Sequence, residues 1–128
     1  MKKLLSRVAP LSLVLGLGAL SGCRANYSHT DISRVSSNDL PSTVTALHIA
    51  VTQGSIVTAH IAPFNNDEKP MVGDVQSSDP STLQVLRAFD DKNYAFLGVK
   101  TGKTTVMFLA DGIVVATIQA DVTAQAAQ

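Results

Sequence analysis

The stretch of sequence that decides the fold is TTVMFLADGIVVATIQADV, residues 104–122. Residues 104–110 and 113–122 are rich in the β-branched and aromatic side chains that favour strands. Between them stands Asp111-Gly112, a pair that tolerates the positive φ angles of a type I′ hairpin turn. The stretch therefore predicts two antiparallel strands joined by a tight turn. The residues predicted to lie in the paired strands and to contribute to the core are Val106, Phe108, Val115 and Ile118.

Substitutions at two glycines test the predicted turn. A β-branched side chain resists the positive φ that the hairpin requires of Gly112, so Gly112→Val is expected to cost about 1 to 3 kcal/mol of stability. Gly73 lies in a weaker apolar segment, and Gly73→Val is expected to cost less. The ranking of the two variants is thus a prediction about the hairpin.

Short apolar segments recur through the rest of the chain. Alternating side chains predict a strand at 45–51 and another at 56–62, with a turn at 53–55 that places His48 and His60 across a first hairpin. The other predicted strands lie at 71–76, 83–88 and 94–99.

The spacing of these strands is typical of an all-β sandwich. We therefore predict one domain of about seven strands over residues 43–124, followed by a disordered tail at 125–128. One segment carries competing signals, because Asp79 could cap a helix and Pro80 could begin it. The β-branched residues that follow favour a strand. We expect a turn or a short helical turn at Pro80, followed by a strand.

Three turn motifs carry a resemblance to a known family. They are Val-Gln-Ser-Ser-Asp-Pro at 75–80, Gly-Val-Lys-Thr-Gly-Lys-Thr-Thr-Val at 98–106, and Asp111-Gly112. With the closing valine-rich strand they resemble the bacterial immunoglobulin-like domain of the group 2 type. The resemblance implies an immunoglobulin-like β-sandwich that acts as a structural or protein-interaction module. The sequence departs from the family at Val75, where a tryptophan is common, and the chain contains no Trp.

A second resemblance competes with the first. Residues 51–55, an apolar strand end followed by a Gln-Gly-Ser turn, and the later Gly-x-Thr turn are similar to the small β-rich domain at the N-terminus of pilus and secretion-channel secretins. Both families are interaction modules. Neither resemblance implies catalysis, and a fold alone never does.

Residues 1–22 have the layout of a secretory signal. Lys2, Lys3 and Arg7 precede an uncharged, mostly apolar run at 8–20. A bilayer-spanning helix needs about 20 apolar residues, and this run is shorter. The segment therefore predicts export and removal rather than a permanent membrane span.

The end of this signal, Leu20-Ser21-Gly22-Cys23, resembles the lipobox of bacterial lipoproteins. The resemblance implies cleavage between Gly22 and Cys23 and a diacylglycerol on the thiol of Cys23, which is the only cysteine in the chain. Two alternatives are an ordinary signal peptide with an accidental cysteine and a free thiol packed in a core. The edge of a polar segment is an unusual place for a core cysteine, so the lipid anchor is the favoured interpretation.

Residues 23–42 are predicted to form a flexible tether behind the acylated cysteine. The sequence at 24–42 is polar and lacks a sustained period, so it buries little surface. A random coil of that length would span on the order of 25 Å. Arg24 follows the cysteine in place of the aspartate that resembles an inner-membrane retention signal. We therefore expect the outer membrane, with the domain facing the periplasm.

Charge limits the possible partners. Lys and Arg number ten and Asp and Glu number ten, and loss of the three signal cations leaves seven basic against ten acidic residues. Phosphate binding needs clustered cations, so nucleic acid is not expected as a partner. Membrane attachment must then come from the lipid on Cys23 rather than from charge.

No motif predicts catalysis, a cofactor or a bound metal. Residues 98–104 superficially resemble a phosphate-binding loop, but three residues rather than four separate the glycines, and a β-run rather than a helix follows. The residues His29, His48 and His60 lack the tight spacing of zinc ligands. The sequence thus predicts a lipid-anchored, non-enzymatic envelope module with a protein partner. The alternative is an accessory lipoprotein of a pilus or secretin assembly.

Overall fold

The computed structural model describes residues 26–37, 40–88 and 90–126. These residues form an all-β fold of two sheets, as predicted. The strands are β1 (Tyr27–Ser37), β2 (Thr43–Val44), β3 (His48–Thr52), β4 (Ile56–Asn65), β5 (Gly73–Ser77), β6 (Leu83–Arg87), β7 (Asn93–Gly98), β8 (Gly102–Ala110) and β9 (Ile113–Thr123). One sheet has the order β1-β4-β7-β6, and the other has the order β2-β3-β9-β8-β5. The chain thus has two more strands in its described part than the sequence predicted.

The closing hairpin forms as predicted. Asp111 and Gly112 have φ angles of 48° and 81°, and they connect the paired residues Ala110 and Ile113. Two positive φ angles in a two-residue loop define the type I′ turn, whose twist matches that of the flanking strands. A register shift follows Phe108. The four residues predicted to contribute to the core do so, with Val115 partly buried and the others buried: Val106, Phe108, Val115 and Ile118.

The core lies between the two sheets and uses alternate residues of each strand. Its largest fully buried side chains are Tyr94 and Phe96 from β7, Ile49 from β3 and Leu83 from β6. Full burial of such a side chain contributes about 1.5 to 3 kcal/mol. Because both sheets supply the core, each buries its apolar face against the other.

The turn at residues 53–55 is present, but it does not make a hairpin. Gly54 has a φ of 82°, yet β3 pairs in parallel with β9, whereas β4 pairs with β1 and β7. His48 therefore lies opposite Gln119 and His60 opposite Asn93, so the prediction that the two histidines face each other is wrong. The reason is that β2 and β9 occupy both edges of β3, and β1 and β7 occupy both edges of β4, so neither strand has an edge free for the other. The apolar faces of β3 and β4 meet across the core instead.

The segment predicted to be a flexible tether contains strand β1. Tyr27–Ser37 pair with β4 from Asn65 to Val57, with two register shifts along the way. The polar composition is compatible with this strand because its place at the sheet edge requires few buried side chains. Ile32 packs against the core, and most of the other β1 side chains are exposed. Because few of its side chains are buried, the strand is held in place mainly by backbone hydrogen bonds to β4.

Candidate functional site

The predicted lipidation site lies outside the described residues. Gly22, Cys23 and the rest of the signal at 1–22 belong to the part of the chain that the structure does not describe. Lipidation and cleavage at these residues therefore stay predictions. Within residues 26–37, 40–88 and 90–126, the structure contains no helix with the length and hydropathy of a bilayer-spanning segment.

The sandwich has two ends. The N-terminal end, as we call it, consists of Asn26, the β4–β5 loop at 66–72 and the turn Asp111-Gly112. The N–H of Asn66 donates to the carbonyl of Asn26 at 2.9 Å, and the N–H of Asp111 donates to the carbonyl of Val72 at 2.8 Å. These bonds hold the start of β1, the loop and the hairpin turn together.

The C-terminal end contains three further turns. It consists of the turns at 53–54, 78–82 and 99–101 and of residues 123–126. The N–H of Gln53 donates to the carbonyl of Thr123 at 2.8 Å, which ties the first of these turns to the end of β9.

The Ser-Ser-Asp-Pro corner packs on the Gly-x-x-x-Gly-x-Thr turn at this end. The N–H of Ser78 donates to the carbonyl of Thr105 at 2.9 Å, and the hydroxyls of these two residues lie 2.7 Å apart. The N–H of Val99 donates to the carbonyl of Thr82 at 2.9 Å. Two of the three motifs that carry the family resemblance are therefore in contact with one another.

Asp79 organises the corner itself. Its carboxylate accepts hydrogen bonds from the hydroxyls of Ser81 and Thr82, which lower the pKa of Asp79. The N–H groups of Thr82 and Leu83 donate to the carbonyl of Asp79, and β6 begins at Leu83. The prediction of a turn at Pro80 followed by a strand is confirmed.

The segment that resembles a phosphate-binding loop has a structural role. A Cβ at Gly98 would lie 2.7 Å from the carbonyl oxygen of Thr52, so only glycine fits where this strand passes the first turn. Strand β8 begins at Gly102, and no helix N-terminus follows that could face a phosphate. Gly98 thus serves the close packing of two turns.

A cavity of about 240 Å³ opens at the C-terminal end. It is lined by residues without a charged side chain: Leu40, Pro41, Thr52, Thr123, Ala124, Gln125 and Ala126. The hydroxyl of Thr52 donates to the carbonyl of Pro41 at 2.8 Å, so that polar group is already used within the wall. The lining offers no acid, base or nucleophile poised for chemistry.

The three histidines lie apart. His48 Nε2 is 2.7 Å from Asp121 Oδ2, while His60 Nδ1 is 3.3 Å from Asn93 Oδ1. The ring of His29 stacks on Phe64 with 5.3 Å between centroids. Among the described residues, no three His, Cys, Asp or Glu side chains converge in a way that could hold a metal.

A polar cluster that the sequence did not predict joins the two sheets. Arg87 on β6 donates through Nη2 to Asp74 Oδ1 at 3.0 Å and to the carbonyl of Gly73 at 3.1 Å. The Tyr94 hydroxyl donates to the same carbonyl at 3.1 Å, and the guanidinium carbon lies 5.7 Å from the Tyr94 ring centroid. Because Gly73 and Asp74 begin β5, these bonds tie the edge of the five-stranded sheet to the four-stranded one.

The electrostatics of this cluster favour ionised Asp74 and Arg87 and a neutral Tyr94. Although partial burial opposes the effect, the pKa of Asp74 is lowered because its carboxylate accepts hydrogen bonds from Gln76, the Val75 N–H and Arg87. The hydrogen bond to Asp74 raises the pKa of Arg87, and burial raises the pKa of the Tyr94 phenol. All three groups thus keep their ordinary ionisation states at neutral pH. The cluster is suited to holding the sheets together rather than to proton transfer.

No protein-family model matches the chain, and no curated protein does. Similar solved structures exist. Domains 1–6 of the surface layer protein SbsC match with a TM-score of 0.55 at 13% identity, covering 77% of this chain and 14% of that one. A structure of domains 4–9 matches with a TM-score of 0.52 at 15% identity, covering 77% and 15%.

A third similar structure holds domains 4 and 5 of the S-layer protein SbsC. It has a TM-score of 0.51 at 14% identity and covers 74% of this chain and 54% of that one. The chain thus spans about half of the shortest of these three structures and a small part of the two longer ones. Likeness at this identity concerns the fold alone: the all-β sandwich of this chain resembles single domains of a surface layer protein.

Proposed function

We propose that the protein is a non-catalytic structural or protein-interaction module of the cell envelope, anchored through a lipid on Cys23. The observation that carries the proposal is that the buried polar side chains of the sandwich form hydrogen bonds within the domain. Within the described part of the chain, every buried side-chain nitrogen or oxygen has a hydrogen-bond partner. The polar clusters of Asp79 and Arg87 hold turns and sheets together, as a scaffold requires.

Two further observations support the envelope location. The residues Leu20-Ser21-Gly22-Cys23 resemble a lipobox, and the solved structures that share the fold are domains of a surface layer protein. A single acyl chain binds a bilayer only marginally, at about 0.8 kcal/mol per buried methylene, whereas two or more chains anchor stably. A diacylglycerol on Cys23 would therefore suffice, and Arg24 in the following position favours the outer membrane, facing the periplasm.

The immunoglobulin-like type belongs to the same proposal. Its support is the contact between the corner at 75–80 and the turn at 98–106, two of the three motifs on which the family resemblance rests. A module of this type would present a sheet edge or a loop cluster to an envelope protein.

Replacing Cys23 with Ser tests the anchor. The full chain, produced in a Gram-negative host with its own signal, is expected to move from the membrane fraction to the soluble periplasm or to remain uncleaved. The parent chain should incorporate labelled palmitate, and the variant should not. A Cys23→Ser chain that stays processed and membrane-bound would show that the anchor has been assigned to the wrong residue.

An accessory role in a pilus or secretin assembly is the second candidate. It rests on residues 51–55, which the structure places at the end of β3 and in the turn toward β4. Affinity purification from detergent-solubilised envelopes separates the two candidates. Recovery of a secretin ring favours the accessory role, whereas recovery without one favours the stand-alone module.

A further inference from the structure

We infer that the N-terminal end of the sandwich lies against the bilayer surface at the level of the lipid headgroups, while the C-terminal end points away from it. This inference rests on the proposed lipidation of Cys23. The proposed function gives only the point of attachment, whereas this inference adds which surface of the domain contacts the bilayer.

The length of chain between the lipid and the sandwich sets the geometry. Two residues, Arg24 and Ala25, lie between Cys23 and Asn26, where the described structure begins, so three Cα-to-Cα steps join the two. A fully extended chain spans at most about 3.3 to 3.6 Å per residue, so the domain begins within about 10 Å of the acylated cysteine. Because β1 occupies residues predicted to be tether, little slack remains for the domain to leave the surface.

Hydrogen bonds fix which part of the domain is held there. The carbonyl of Asn26 accepts from the N–H of Asn66, and Tyr27 is the register partner of Asn65. The loop at 66–72 is thus joined to the first described residue. The Val72 N–H donates to Asp111 Oδ1 at 2.9 Å, which brings the hairpin turn to the same end.

The direction of β1 sets the orientation of the remainder. The strand runs from Tyr27 at the N-terminal end to Ser37, which pairs with Val57 near the start of β4. At about 3.3 Å per residue, an 11-residue strand separates the two ends by on the order of 30 Å. The turns and the cavity of the C-terminal end would therefore stand well clear of the headgroups.

The side chains at the N-terminal end suit the interface and not the hydrocarbon. Val72 is 69% exposed and Ile113 is 36% exposed, so this end presents apolar surface beside the anchor. Asp67, Glu68 and Lys69 lie exposed in the same loop, and charged side chains are costly below the headgroups. Contact at headgroup level with a zwitterionic surface accommodates both the apolar and the charged side chains, whereas an anionic surface would repel the carboxylates, which outnumber Lys69 in this loop.

Site-specific labelling tests the orientation in the full acylated protein. Because Cys23 would be blocked by its thioether and the chain has no other cysteine, Val72→Cys introduces one reactive thiol at the N-terminal end. Lys100→Cys is the matched control, since it is also exposed but lies at the C-terminal end. Each variant is labelled with an environment-sensitive fluorophore and reconstituted into phosphatidylcholine vesicles that contain a headgroup-quencher lipid.

The label at position 72 is expected to be quenched several-fold more than the label at position 100. Inserting about 12 Gly and Ser residues between Ala25 and Asn26 would add roughly 20 Å of span and should remove most of the difference. Equal quenching at the two positions in vesicle-bound protein would overturn the orientation while leaving the anchor intact. Protein that fails to associate with vesicles would overturn the anchor itself, and the orientation with it.

Discussion

The β8–β9 hairpin and strand β1 are built on opposite principles. In the hairpin, Val106 and Phe108 are buried, and the turn residues Asp111 and Gly112 fix the register. In β1, Ile32 is the residue packed against the core, and the strand is held mainly by backbone pairing with β4. The alternation of apolar and polar side chains thus specifies a central strand, whereas an edge strand can form from a sequence with almost no such alternation.

The largest contrast should appear on truncating one core side chain from each region. Phe108 is 2% exposed, and Phe108→Ala should destabilise the domain by about 3 to 5 kcal/mol through lost burial and the cavity left behind. Ile32→Ala removes a partly buried side chain and should cost about 1 kcal/mol, below the usual 2 to 5 for a core isoleucine.

Urea unfolding of a chain that begins at Asn26 measures both values. A chain that begins at residue 43 would expose the edge of β4 and is unsuitable as the reference. Equal losses for the two variants would mean that β1 is as much a part of the core as the hairpin is.

Backbone strain gives an intermediate effect. Gly112 has a φ of 81° with open space around it, so Gly112→Val should cost about 1 to 3 kcal/mol through conformation alone. Gly112→Asn is the matched control, because asparagine tolerates the left-handed region, and it should retain most of the stability. A Gly112→Val chain as stable as the parent would contradict the type I′ turn.

Gly73 changes the ranking expected from sequence. A Cβ there would lie 2.8 Å from Cδ of Pro63, so Gly73→Val should be destabilising through a steric clash even in an edge strand. The two glycine variants are therefore expected to be comparably destabilised, for different reasons. Pro63→Ala should partly rescue Gly73→Val and leave Gly112→Val unchanged, as thermal unfolding of the double variants can establish.

The smallest effect concerns the cluster that ties β5, beside the hairpin, to the sheet that contains β1. The pKa of Asp74 is lowered from 3.8 in the folded chain, so its ionised form stabilises the fold above that pH. This contribution is lost as the pH falls through the lowered pKa. Asp74→Asn should therefore be less stable than the parent at pH 7, by a small amount because the pair is half-exposed, and the difference should shrink near pH 3.

Denaturant midpoints of both proteins at the two pH values measure this linkage. Asp79 and Asp90 also have lowered pKa values, and comparing variant with parent at each pH cancels their contribution. A difference that grows toward acid pH would contradict the stabilising role of the carboxylate.

The sequence predictions succeeded where the interactions join residues close in the chain and failed where the interactions join distant ones. The hairpin and the turn at Pro80 are local, and residues within a few positions of each other determine them. The path from β3 to β4 could not be predicted, because the same turn at 53–55 can lead to a hairpin partner or across to the other sheet. Only the arrival of β9 beside β3 decides between these outcomes.

The Arg87 cluster was missed for a related reason. Its members Asp74, Arg87 and Tyr94 come from three strands, and none stands in a motif. A single sequence carries no signal for a contact that depends on how two sheets align. The lipidation site predicted at Cys23 is the reverse case, since the motif on which the prediction rests is entirely local and needs no fold to be recognised.

The placement of the first and last described residues has a mechanical consequence. Asn26 lies at one end of the sandwich, and residues 123–126 lie at the other. If the anchor holds the first end and a partner pulls the second, the load runs along β1 and β9 rather than across them. Antiparallel hydrogen bonds lie perpendicular to the strands, so β1 could slip along β4 only by breaking many of those bonds together. The first strand, whose sequence lacks a regular apolar pattern, would then be loaded in shear. It would resist tension through the number of its backbone hydrogen bonds rather than through buried side chains.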